Sequence, residues 1–132
     1  MHLTKDVLRS APIPYEDVPV PELQEGGVIR VRCLSALQKD QWDAGFWSAD
    51  EETGKPRYSA IGARARLLLL ACCHEDFTPM FDAEDIAWLQ AFRSDVADRL
   101  YDAAERISGL RADLEALKKA FGAAQAGASS TS

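Results

Sequence analysis

Apolar and polar positions change rhythm along the chain, and each rhythm predicts a different element. Thr4 is placed to cap a single turn from Lys5 to Arg9. The prolines at 12, 14, 19 and 21 then forbid a long helix, because proline lacks the amide hydrogen and clashes with the preceding turn. Glu16 to Glu22 sets Val18 and Val20 on one side of an extended segment, and its prolines confine it to a sheet edge. Gly26-Gly27 supplies a turn. Val28 to Leu34 alternates Ile29, Val31 and Cys33 with Arg30 and Arg32, the period of two that a half-buried strand requires. The two segments make a small hairpin.

Helical spacing comes next. Ser35 can cap a helix carrying Leu37, Trp42 and Phe46 on one broad face, with Gly45 marking its end. Ser48 to Arg57, charged and interrupted by Gly54 and Pro56, reads as a loop. Ala60 to Cys73 is rich in alanine and leucine, which favours a buried helix, although Leu67 to Leu70 alone fits a strand equally well. Asp82 followed by Glu84 and Asp85 marks a helix start, with Ile86 and Leu89 as its apolar face. Ser94 reads as the next cap. Val96, Leu100, Ala103, Ala104 and Ile107 then recur at steps of three and four until Gly109 stops the helix. A last helix, Ala112 to Phe121, carries Leu114, Leu117 and Phe121 on one stripe. The predicted class is α+β and mainly helical: an N-terminal β-hairpin followed by four or five helices.

Composition narrows the picture. A chain of 132 residues has room for one core. We expect a single domain over residues 1–121, and a disordered Gly/Ala/Ser-rich tail over 122–132 that cannot bury enough apolar surface to order itself. The net charge of −6 and pI near 4.9 argue against a nucleic-acid partner and against anionic membranes, both of which select for excess Lys and Arg. The longest apolar run, Leu67 to Cys73, falls far short of the roughly 20 residues that span a bilayer. No secretory signal opens the chain. Cys33, Cys72 and Cys73 are an odd number in a chain of ordinary core size, which suits a reducing cytosol.

Candidate chemistry is sparse. Cys72-Cys73-His74 is the one place where soft ligands adjoin, and neighbouring residues do not wrap a tetrahedral metal. Two buried thiols at the end of an apolar helix are the simpler reading. The acids from Asp82 to Asp85 lack the alternating ligands and central glycine of a calcium loop. Gly26-Gly27 is not followed by a phosphate-binding signature. We therefore assign no catalytic, cofactor-binding or metal-binding residue, and read the chain as one that works by binding other proteins. Trp42, Phe46, Trp47, Trp88 and Phe92 are the rings best able to anchor a partner.

Several segments, taken in order, resemble the tail assembly chaperones of long-tailed bacteriophages. In that family an opening "LTK(D/E)" is followed by "VxVPE", a Gly turn and a "VRVR.L(S/T)" strand. Here these stand as Leu3-Thr4-Lys5-Asp6, Val18-Pro19-Val20-Pro21-Glu22, Gly26-Gly27 and Ile29 to Ser35. Ala65-Arg66-Leu67 to Ala71, Pro79 to Asp85 and Val96 to Leu110 are similar to the family's "ARL" apolar run, "PLF(S/T)DED" and "LDRLFDAALRLNGL". One departure is His74-Glu75-Asp76-Phe77, where the family has a "DE(D/E)G" turn.

The resemblance implies a helper of the host bacterial cytoplasm, absent from the mature virion. It would bind the tape-measure protein, keep it soluble and recruit tail-tube protein around it. Such families often also make a longer form by translational frameshifting, and Lys118-Lys119 is compatible with an A-rich slippery codon pair. The partner-binding candidates are Trp88, Phe92, Leu114, Leu117 and Phe121, on the helical half. The same stripe makes a homo-oligomer possible. Two other classes stay open: a structural minor tail or tail-completion protein, and a small enzyme or redox protein using Cys72 or Cys73.

Overall fold

The computed structural model describes residues 1–110. Among them are five α-helices and two small antiparallel sheets, the α+β class the sequence predicts. The helix expected over Ala112–Phe121 and the domain boundary at residue 121 lie outside the described residues.

Helix α1 (Lys5–Arg9) buries none of its residues. Strands β1 (Tyr15–Pro19) and β2 (Val28–Arg32) then pair in the register Tyr15↔Arg32 to Pro19↔Val28. Their turn is closed by Val20 N–H on Gly27 O and Gly27 N–H on Gln24 O, both at 2.9 Å. As the prolines require, β1 is an edge strand. The sequence did not disclose that β2 is central: β5 (Cys72–Cys73) pairs with its other side, Val31 facing Cys72 and Arg30 facing Cys73. Val18, Val31 and Cys72 point to the core, while Asp17 and Arg30 occupy the outer face, joined at 2.8 and 3.0 Å.

Helix α2 (Ala36–Ala44) begins at Ser35 as expected. Its hydroxyl accepts from Gln38 N–H at 3.1 Å and the Gln38 side chain accepts from Ser35 N–H at 2.9 Å, so two donors that helix geometry leaves free are satisfied reciprocally. The expected apolar face needs correction. Trp42 is buried, but Leu37 is 65% exposed and Phe46 lies beyond the helix end.

The charged stretch read as a loop is instead a hairpin of β3 (Trp47–Ala49) and β4 (Pro56–Tyr58), paired as Trp47↔Tyr58 and Ala49↔Pro56. The Asp50 carboxylate closes its turn by accepting from Glu52 and Thr53 N–H at 2.8 and 3.1 Å. None of its strand residues is buried, so no alternation marks it in sequence.

Residues 60–73 resolve the helix-or-strand ambiguity by using both. Helix α3 (Ala63–Ala71) is built from strong helix formers and buries Ala63, Ala65, Leu67, Leu68 and Ala71, with Arg64 on its exposed side. It stops where Cys72 turns extended to join β2. Cys72 and Cys73 are buried, as the simpler reading of the pair expects.

A 3₁₀ turn at Ala83–Asp85 leads into α4 (Ile86–Gln90), with Leu89 buried. Helix α5 (Ser94–Ser108) lays Val96, Ala97, Leu100, Ala103 and Ala104 against α3 and the sheet. Its cap is Arg93, and Ser94 is its first helical residue, a correction to the expected start. Asp95 explains the shift: its carboxylate holds Arg93 at 2.7 Å and accepts from Val96 N–H at 2.8 Å. Gly109 ends α5 with φ +70°, as the sequence predicts.

Candidate partner-binding surface

The surface is assembled where α4 meets the start of α3 and α5. The Asp82 carboxylate accepts from Glu84 N–H at 2.9 Å, and Asp85 Oδ2 accepts from Asp82 N–H at 2.8 Å. Asp85 Oδ1 then receives the Trp88 indole N–H at 2.8 Å, locking the ring to the cap of its own helix. That indole hydrogen bond holds the Asp85 carboxyl below its ordinary value, so the carboxylate is the acceptor at neutral pH.

Trp88 stands edge-on to Phe81 (5.7 Å between centroids) and to Phe92 (6.3 Å), yet is itself 49% exposed. A fixed, half-exposed indole flanked by two rings loses little conformational entropy when covered, which is the property of an interface anchor. Phe92 borders an open groove of about 1010 Å³ whose floor is Ala63, Leu89 and Ala97 and whose opposite lip is Ile61, 90% exposed. Arg64 and Asp98 form an ion pair at the groove's polar end. Gly62, the α3 cap, has φ +81°, and a Cβ there would sit 3.0 Å from Gln90 Nε2. Glycine adopts this left-handed backbone without steric cost, which lets the chain turn into α3 beside the groove.

The structure brings Trp88 and Phe92 together as neighbours on one face. Of the other rings singled out in the sequence, Trp42 and Phe46 are core, packed edge-on at 4.6 Å with the Arg66 guanidinium over both. Trp47 is exposed on the β3–β4 hairpin against Tyr58, which stacks on Phe46 at 5.5 Å. Leu114, Leu117 and Phe121 lie outside the described residues. Sequence reasoning missed Ile61 and Tyr58. The signal for Ile61 was its place just before Gly62, outside the apolar spacing of α3.

The thiols are placed unfavourably for nucleophilic chemistry. Burial pushes Cys72 up to about 12 and raises Cys73 as well, so both stay protonated at neutral pH, the reverse of what a thiolate nucleophile needs. Among the described residues, no group of three or more His, Cys, Asp and Glu side chains converges to hold a metal ion, and no helix is long and apolar enough to cross a membrane.

Fold and surface together describe a small α+β domain in which a three-stranded sheet and two packed helices stand beside an open groove bordered by Phe92. Its architecture is similar to a solved structure, that of the tail assembly chaperone of bacteriophage HK97. The TM-score is 0.52 at 20% identity, covering 77% of this chain and 90% of that one. No protein-family profile matches the sequence, and no curated protein does.

Proposed function

We propose that this protein is a phage tail assembly chaperone: it binds the tape-measure protein, keeps it soluble and recruits tail-tube subunits to it. The observation that carries this reading is the fold it shares with the HK97 tail assembly chaperone over 90% of that chain. The ordered run of sequence segments from Leu3 to Leu110 supports it independently.

The physics of the task agrees. A long, apolar-rich helical client needs a carrier that offers a reversible apolar groove on an otherwise charged body. Trp88, Phe92 and Ile61 supply the apolar rim, and the net charge of −6 keeps the carrier from self-precipitating. On this reading the protein acts in the host bacterial cytoplasm and is left behind when the virion is complete.

The experiment is co-expression with the tape-measure protein of the same phage or prophage. Recovery of a soluble, stoichiometric complex supports the proposal. A client that precipitates while this protein stays free, with and without the longer form, rejects it, and retention in purified particles would identify a structural tail component instead.

A further inference from the structure

Helix α1 buries none of its residues, and Leu3, Val7 and Leu8 are all exposed. Helical spacing sets Lys5 and Arg9 on one side of this turn and Val7 and Leu8 on the other. Neither Lys5 nor Arg9 forms an ion pair among the described residues. An acidic protein thus keeps a cationic, amphipathic arm uncovered.

The face of α4 has the opposite charge. Ala87, Trp88 and Ala91 are exposed there, and the rings of Phe81 and Phe92 stand edge-on to Trp88. Asp82, Glu84 and Asp85 precede Trp88 within six residues, and none of the three has an ion-pair partner among the described residues. The bases beside them are already neutralised, Arg64 by Asp98 and Arg93 by Asp95. Apolar surface next to uncompensated carboxylates selects an occupant that is apolar and cationic.

We propose that the α1 arm of a second copy docks on this face. Val7 and Leu8 lie against Trp88 and Ala87, while the long side chains of Lys5 and Arg9 reach round to Glu84 and Asp82. The chain's own arm is fastened elsewhere. Cys33 N–H donates to Pro14 O at 2.9 Å and Leu34 N–H to Ser108 Oγ at 3.0 Å, which sets the arm's base at the C-terminal end of α5. The groove bordered by Phe92 lies at the Ser94 end of that 15-residue helix, about 22 Å away. The inference is independent of the chaperone reading and sets a condition on it: a client that takes the Trp88 face displaces the arm.

The purified full chain, with no client present, tests the proposal. Light scattering at low ionic strength should show a mean mass that rises above the 14.5 kDa of one chain as concentration increases, and that falls back when salt is added. K5E/R9E should weaken association about tenfold, because two attractive pairs become repulsive. E84K should weaken it as well, and K5E/R9E/E84K should associate more tightly than K5E/R9E. All three side chains are exposed, so the variants keep the fold. In a mixture of unlabelled and nitrogen-15-labelled chains, carbodiimide should join Lys5 to Glu84 in peptides of mixed isotope content. A single-chain mass at every concentration would overturn the proposal and leave the face to a different partner, as would association indifferent to E84K. Lys5–Glu84 crosslinks confined to peptides of one isotope content would overturn it by seating the arm on its own chain.

Discussion

The ring of Phe77 stands edge-on to that of Tyr15 with centroids 5.3 Å apart, while the backbone of Phe77 is left-handed at φ +68°. The guanidinium of Arg30 lies 4.0 Å from the Tyr15 centroid and 5.1 Å from that of Phe77, and Arg32 donates to Phe77 O at 3.3 Å. This is where the resembled family has glycine, the residue that adopts such a backbone without steric cost. Tyr15 and Arg30 offset the strain with ring contacts that a glycine cannot make, while the Arg32 bond to the carbonyl needs no side chain at 77.

Separating backbone from ring gives an ordering. Phe77→Ala keeps the left-handed strain of about 1 kcal/mol and loses ring contacts of similar size. Phe77→Gly loses the same contacts but relieves the strain. Urea denaturation should therefore place Phe77→Gly above Phe77→Ala by about 1 kcal/mol, with wild type close to the glycine variant.

Acid stability should carry the mark of the Glu22–Arg99 pair. Arg99 also donates to Pro19 O at 3.0 Å, so the pair clamps α5 to the β1–β2 turn. Its hydrogen bond from Arg99, reinforced by a backbone donor, lowers the Glu22 carboxyl from 4.5 to about 2. Because the folded value lies below the unfolded one, the unfolded chain binds more protons between them. The stabilisation is complete above about pH 4.5 and is lost as pH falls toward 2. Glu22→Gln should lower the melting temperature at pH 7 and make the fall between pH 4.5 and 2 shallower than in wild type.

Core and surface leucines should separate sharply. Leu67→Ala empties a fully buried site on α3 and should cost about 2–5 kcal/mol. Leu37→Ala, on the exposed side of α2, should change stability by no more than about 0.5 kcal/mol. Chemical denaturation of the two variants measures both.

The candidate surface makes a prediction of opposite kind. On the proposed function, Trp88→Ser with Phe92→Ser should reduce recovery of the co-expressed tape-measure protein at least tenfold, as loss of paired aromatic anchors does. The far-ultraviolet dichroism should keep its wild-type form, because Trp88 is half exposed and Phe92 only partly buried. Unchanged recovery would move the client site elsewhere, with Trp47 and Tyr58 as the next exposed rings.

Where a buried face imposes a period, the sequence was enough. The β1–β2 hairpin, the Ser35 cap and the α5 stripe to Gly109 are each written in local residues whose partners lie within a turn or on the facing strand. The β3–β4 hairpin was illegible because none of its strand residues is buried, leaving only turn-forming and charged residues to read. β5 was missed for another reason: two residues cannot show an alternation, and Cys72–Cys73 becomes a strand only through β2, far earlier in the chain. At the candidate surface, Trp88 and Phe92 were identifiable as large rings at a four-residue spacing. The groove beside them was not, since its lining comes from three separated segments, the start of α3, the end of α4 and the start of α5.

The adjacent bonds from Cys33 to Pro14 and from Leu34 to Ser108 have a topological consequence. They hold Pro14 and Ser108, near the two limits of the described residues, at one corner. Such a fold can be spliced into the middle of another polypeptide, or circularly permuted by a short linker from 110 to 14, without pulling any strand from the sheet. Cargo genetically attached at this corner hangs from the C-terminal end of α5, whereas the groove bordered by Phe92 lies at its Ser94 end.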